Sequence, residues 1–284
     1  MSAEHFERQV PFLTPEGQDR IGRTRVAVVG NGGLGAHVVQ QLAYTGVVNL
    51  SLIDADRVSR NNLNRFVTAF PGDVDTLKVE ALRRFVLTLH PGADVRVVRD
   101  ELRSHAAYAA LKEADYLVGC FDDDGPRFLL NQLAAAYQKP YLDVSSEIGA
   151  DQTSYGGKFV FSRPGQGCLH CRGLLDHHEI RRWLETPEEK KTRERIYGQQ
   201  IGVDGSGPSV VALNGVVASL GVMELMLDIA GIRPAHDYRK YIGVLGMIVT
   251  PSDNAPDPAS CRICGEVCGQ GDRADLEQYI RERP

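Results

Sequence analysis

This sequence lacks any basic stripe: its Lys and Arg residues are dispersed, and the formal net charge is -5. General affinity for nucleic acid or another polyanion is therefore excluded. No apolar run reads as long enough to span a membrane, and Met1 to Pro11 is charged, without the apolar core of a signal peptide. A cytoplasmic protein is expected. Internal repeats and low-complexity tracts are also missing, so the fold is not a solenoid or a disordered array. Cysteine is scarce, and four of the six fall in two Cys-x-x-Cys pairs. Inside a cell that pattern points to metal rather than disulfides. What the chain does have is 43% hydrophobic and 24% charged residues over 284 positions, enough for one large or two modest domains with a real core.

The chain is organised around Arg25-Val26-Ala27-Val28-Val29-Gly30-Asn31-Gly32-Gly33-Leu34-Gly35, which reads as buried strand, tight turn and helix. Unpaired amides and the aligned peptide dipoles at the helix start favour phosphate there. Gly30, Gly32 and Gly35 satisfy the dinucleotide fingerprint, Gly33 lets the backbone approach a ligand, and Asp54 closes the second strand where an acid would hold a ribose hydroxyl. Taken alone, this stretch fits an NAD-binding oxidoreductase equally well.

Strands are expected at 49–54, 95–98, 115–121 and 140–144, alternating with helices at about 76–89, 104–112 and 127–137. The alternation predicts a Rossmann-like, mostly parallel sheet with helices on both faces. Strands at 153–161 and 241–250 continue it antiparallel. The loop opened by Asp54-Ala55-Asp56 runs through Asn61-Asn62-Leu63-Asn64-Arg65, at a strand's carboxyl end, where ligands bind in such sheets. Lys78, in a helix's first turn, opposes the helix dipole and signals an anionic partner. Asp122-Asp123-Asp124 is either a solvated loop or a cation site. The charged segment 176–195, with the lone tryptophan Trp183, reads as a lid or as an exposed helix laced with ion pairs. A long apolar helix is expected from Pro208 to Ile229, deeply buried, and a short helical tail at 272–284. The predicted organisation is a single domain over 1–265, with a nucleotide-binding half (1–150), a substrate and zinc half (151–265) and a tail (266–284).

Cys168, Cys171, Cys261 and Cys264 have the spacing for one closed four-sulfur zinc site, structural because no position stays open for substrate. His170 could replace a thiolate. Cys120 reads as core and Cys268 as a spare.

Together, Gly30 to Gly35, Asp54-Ala55-Asp56, Asn62-Leu63-Asn64-Arg65, Lys78, Asp122 and the paired cysteines resemble the ubiquitin-activating-enzyme superfamily. The chain looks most like its MoeB/ThiF branch, the adenylyltransferases of molybdopterin and thiamine biosynthesis, from about Arg8 to Cys264. The resemblance implies an ATP-dependent adenylyltransferase that converts the Gly-Gly carboxylate of a ubiquitin-like or sulfur-carrier protein to an acyl-adenylate. A short peptide is the alternative substrate. It further implies phosphate-holding roles for Arg65 and Lys78, magnesium at Asp122, ribose at Asp54, a phosphate-side amide at Asn62, and an Arg8 that reaches the partner's site in a homodimer. Asp56 belongs to the same nucleotide loop. The chain departs from the pattern at Phe66 and Asp123, where the family commonly has Gln and Asn. No cysteine lies between Arg172 and Val210, where thioester-forming relatives carry one, so no thioester is expected at that position.

Overall fold

The computed structural model describes residues 3–151, 153–197, 207–252 and 256–281. In chain order the elements are α1 (Val10–Leu13), α2 (Pro15–Arg23), β1 (Arg25–Val29), α3 (Gly33–Thr45), β2 (Asn49–Ile53), α4 (Lys78–Leu89), β3 (Asp94–Val98), α5 (His105–Glu113) and β4 (Tyr116–Gly119). They continue with α6 (Asp124–Ala136), β5 (Tyr141–Ile148), β6 (Tyr155–Ser162), α7 (His177–Leu184), α8 (Pro187–Tyr197), α9 (Val211–Ile229), β7 (Tyr238–Ile242) and β8 (Met247–Val249).

One eight-stranded sheet runs β3-β2-β1-β4-β5-β6-β7-β8. β3 through β5 are parallel, and β5 to β8 pair antiparallel. Because side chains alternate along a strand, Val26 and Val28 face one helical layer while Ala27 and Val29 face the other. The first layer contains α3, α4 and α9. The second contains α5, α6 and α7, with Leu276 of the C-terminal segment packed into it and Tyr108 Oη donating to the Leu276 carbonyl at 2.8 Å.

Several boundaries differ from the sequence expectation for identifiable reasons. Helix α6 begins at Asp124, not Arg127, because Asp123 caps it by accepting from the Gly125 amide at 2.6 Å. The stretch 241–250 is no single strand: β7 and β8 form a hairpin around a 3-10 turn at Gly243–Leu245, ended by Gly246 at φ +61°. α9 starts at Val211, past Pro208, and is only partly covered; Val211, Val216 and Met223 remain exposed. By length and composition α9 could cross a membrane, contrary to the sequence reading, but 61% of its most apolar 18-residue stretch is buried and it packs on α3 and β5. The tail forms two 3-10 turns, Gly271–Ala274 and Leu276–Tyr279, rather than an α-helix. The last three residues of the expected tail, 282–284, and residues 198–206 ahead of α9 fall outside the described residues.

Candidate active site

The sheet order reverses between β1 and β4, and the glycine turn sits at that switch point, where α/β sheets bind ligands. Gly30 has φ +82°, and a Cβ there would lie 2.5 Å from the Cys120 carbonyl oxygen. A Cβ on Gly35 would overlap the Gly30 carbonyl, so α3 can press against the turn only through glycine. Gly32 differs: a Cβ placed on it would meet no atom within 4 Å, which leaves open space at the N-terminus of α3. There a thirteen-residue helix begins with no side-chain cap on its first amides.

Around this space the chain gathers charge. The Asn31 amide donates to Asp54 Oδ2 at 2.6 Å, and the Asp56 amide to Asp54 Oδ1 at 2.8 Å. Burial pushes the Asp54 carboxyl up, while the Lys78 charge and the two amides pull it back. Asn31, fully buried, donates its side-chain amide to the Val28 and Ile53 carbonyls and ties the ends of β1 and β2 together. Lys78 Nζ lies 2.7 Å from Asp56 Oδ2, with its side chain 12% exposed, and its backbone amide donates to the Asp56 carbonyl. Asp56 and the first turn of α4 therefore meet.

Arg65 lays its stem across Gly33, its Cγ 2.9 Å from where a Cβ would sit, and donates to the Asn61 carbonyl at 2.6 Å. Asn62 accepts from the Ser59 amide at 3.1 Å and closes the short 3-10 turn before Arg65. Phe66, which stands where the family has Gln, is fully buried in the first layer. Asp123 fills with a carboxylate the capping role an Asn would fill. Of the three consecutive acids only Asp122 is exposed. Asp124 is buried against Arg127, so the stretch is not a wholly solvated loop.

Asn214 carries no signal in the sequence. Its side chain is buried; Oδ1 accepts from Ser146 Oγ at 2.7 Å, and Nδ2 lies 2.9 Å from where a Cβ on Gly33 would sit. Beside it lies a cavity of about 370 Å³ lined by Ile148, Tyr155, Val210, Leu213, Val216 and Tyr241, among others.

Arg8 is not part of this cluster. It is exposed, and Gln9 beside it donates to the Thr45 carbonyl at the far end of α3. Thirteen helical residues separate the two ends by about 20 Å.

The four cysteines converge elsewhere, on Ala135 near the C-terminal end of α6. Their sulfurs all lie within 4.8 Å of one another, with Cys168–Cys261 at 3.7 Å and Cys171–Cys264 at 3.9 Å. A tetrahedron of Zn–S bonds has edges of about 3.8 Å. The donor set fits a closed zinc site that could hold the metal without His170.

Residues 6–260 match the ThiF family. Among curated relatives, the adenylyltransferase and sulfurtransferase MOCS3 of Drosophila willistoni is 29% identical over 229 residues, covering 80% of this chain and 45% of that protein. The sulfur carrier protein adenylyltransferase of Thermus thermophilus is 35% identical over 160 residues, covering 56% of this chain and 57% of that protein. The SAMP-activating enzyme E1 of Haloferax volcanii is 40% identical over 119 residues, covering 42% and 44%. The chain thus spans about half the length of these relatives. Among solved structures, E. coli MccB superposes with a TM-score of 0.74 at 20% identity, covering 100% of this chain and 75% of that one, a likeness of fold. A glycine turn at the switch point, its ring of charge, and a family match from one end of the sheet to the other lead to one assignment: this chain belongs to the ThiF family.

Proposed function

We propose that this chain is an ATP-dependent adenylyltransferase acting on the C-terminal Gly-Gly carboxylate of a ubiquitin-like or sulfur-carrier protein. The observation that carries the reading is Arg65 lying across Gly33 at the open N-terminus of α3, with Lys78 paired to Asp56 beside the Asp54 that holds the Asn31 amide, in a family whose curated relatives are named adenylyltransferases. In the reaction the carboxylate oxygen bonds to the α-phosphorus of ATP as the bond to pyrophosphate breaks. Two anions must approach, so catalysis consists mainly of preplaced cations and donors. The α3 amides receive phosphate oxygens at Gly32. Arg65 and Lys78 neutralise the triphosphate, Lys78 exchanging Asp56 for phosphate, and Asn62 offers its amide from the same loop. Asp54 accepts from the ribose hydroxyls through its remaining lone pairs. Magnesium held by Asp122 would offset the charge of the departing pyrophosphate. The carboxylate is already ionised at neutral pH, so no general base is needed.

Arg8 serves the neighbouring subunit's site in a homodimer. Its distance from the chain's own glycine turn supports this, as do the exposed Phe12, Tyr44 and Met223 around α1, α3 and α9. With no cysteine between Arg172 and Val210, the acyl group leaves as adenylate for a separate nucleophile. Zinc in the four-cysteine site is structural, and the chain works in the cytoplasm. The test is ATP–pyrophosphate exchange: it should require magnesium and a Gly-Gly carrier, and exchange with no Gly-Gly protein encoded near this gene would refute the proposal.

A further inference from the structure

Beneath the Asp122 loop lies a buried guanidinium shared three ways. Arg127, 8% exposed, donates through Nη2 to the Phe121 carbonyl at 2.6 Å and through Nη1 to Asp124 Oδ1 at 2.7 Å. Its Nε lies 3.4 Å from Asp143 Oδ1, which also accepts from Tyr141 Oη at 2.9 Å. Burial works against the Arg127 charge, but Asp143 and Asp124 outweigh it and hold its proton more firmly than usual. The guanidinium is thus a fixed post, and it grips the carbonyl of the residue immediately before Asp122.

Asp124 faces both ways. While Oδ1 holds Arg127, Oδ2 accepts from the Asp176 amide at 2.7 Å, just ahead of α7. The Asp124 amide in turn donates to Glu179 Oε2 on α7 at 3.2 Å. Trp183 completes the joint: a Cβ on Gly125 would overlap its indole, and Arg103 stacks on the ring at 4.2 Å while donating to the Trp183 carbonyl at 3.1 Å. α7 is therefore docked on the turn that presents Asp122, which is neither a free lid nor a merely solvated helix.

We infer that Asp124 is a positioning residue that ties α7 to the backbone of Asp122, so that the docking of α7 sets how well Asp122 receives the cation of Mg·ATP. The inference rests on the proposed role of Asp122. Asp122 is exposed in a bend, and among the described residues its placement is set by its neighbours: the Phe121 carbonyl pinned by Arg127 and the Asp123 cap. Cation coordination by carboxylate oxygens is sensitive to such aim. A purely structural ion pair would contribute to stability and leave the cation site untouched.

The experiment compares calorimetric affinities for Mg·ATP and for ATP in EDTA, using the full zinc-loaded chain without carrier. Asp124→Asn keeps the shape but turns a donor toward one of its two partners; it should weaken Mg·ATP binding about tenfold, the scale of a lost charge-assisted hydrogen bond. Glu179→Ala, on α7 itself, should weaken it about fivefold. Affinity for metal-free ATP should change less than twofold in both, with zinc content retained. Mg·ATP affinity within twofold of wild type in both variants, or equal losses with and without magnesium, would overturn the coupling. Asp122→Ala separates the two ideas. If Asp122→Ala leaves Mg·ATP affinity intact, the cation role of Asp122 fails; if it alone loses affinity, only the tie to α7 fails.

Discussion

Gly32 and Gly35 stand three residues apart in one turn, yet alanine should affect them in opposite ways. At Gly35 the added methyl would overlap the Gly30 carbonyl and lie 3.1 Å from the Gly30 carbonyl carbon, both backbone atoms that cannot rotate away. Overpacking of that kind costs about 1–3 kcal/mol. For a chain of this size that lowers the melting temperature by roughly 2–12 °C, at 2–4 °C per kcal/mol. At Gly32 the methyl meets nothing within 4 Å, and φ -78° with ψ -156° is tolerable for alanine. Its stability should stay within about 0.5 kcal/mol of wild type. If the open space is the phosphate cradle, however, the Gly32→Ala methyl stands where phosphate oxygens approach the α3 amides, and losing one or two of those charge-assisted bonds weakens ATP binding roughly ten- to a hundredfold. Thermal denaturation with and without ATP, together with calorimetric titration, separates the two outcomes. A Gly32→Ala protein that melts normally and binds ATP within twofold of wild type would refute the cradle. So would a Gly35→Ala protein with no loss of stability, because the close packing of α3 on the turn would then be mistaken.

Other perturbations follow from the same geometry. Lys78→Met should lower the exchange rate about a hundredfold, the scale of removing one preplaced charge donor, with the fold retained by circular dichroism; a near-normal rate would remove Lys78 from the reaction. Cys264→Ser should abolish zinc binding and destabilise the chain by about 4 kcal/mol, since the metal joins segments about ninety residues apart; elemental analysis of wild type showing well under one zinc per chain would refute the site. Mixing Arg8→Ala with Asp122→Ala subunits should restore one working site per heterodimer, roughly a quarter of wild-type exchange after random mixing. No recovery would show that Arg8 does not cross between subunits.

The parts of the site that lie in one stretch were legible without coordinates. Gly30 to Gly35 forms strand, turn and helix because each residue's requirement is local, and Lys78 stands at the start of α4 as its periodicity demands. The four cysteines were legible through spacing, although only the fold shows how closely their sulfurs converge. What sequence order concealed was contact between distant strands and helices. Asp143 meets Arg127 because β5 lies beside β4, and Asn214 reaches Gly33 because α9 packs on α3; no local pattern marks either residue. Asp124 is one of three consecutive acids in the sequence, but a buried arginine one helical turn later donates to it. The hairpin of β7 and β8 was hidden by its own apolar composition, which runs through the turn and stays exposed at Val244, Leu245, Met247 and Ile248.

The central claim is that the ATP gathered at α3 is attacked by a carrier's terminal carboxylate. Intact-mass analysis of a Gly-Gly carrier after incubation with this protein, ATP and magnesium tests it most directly. The expected result is a carrier heavier by one adenylyl group, labile to hydroxylamine, formed by wild type and not by Asp122→Ala. An unmodified carrier in the presence of protein shown to bind Mg·ATP would contradict the account.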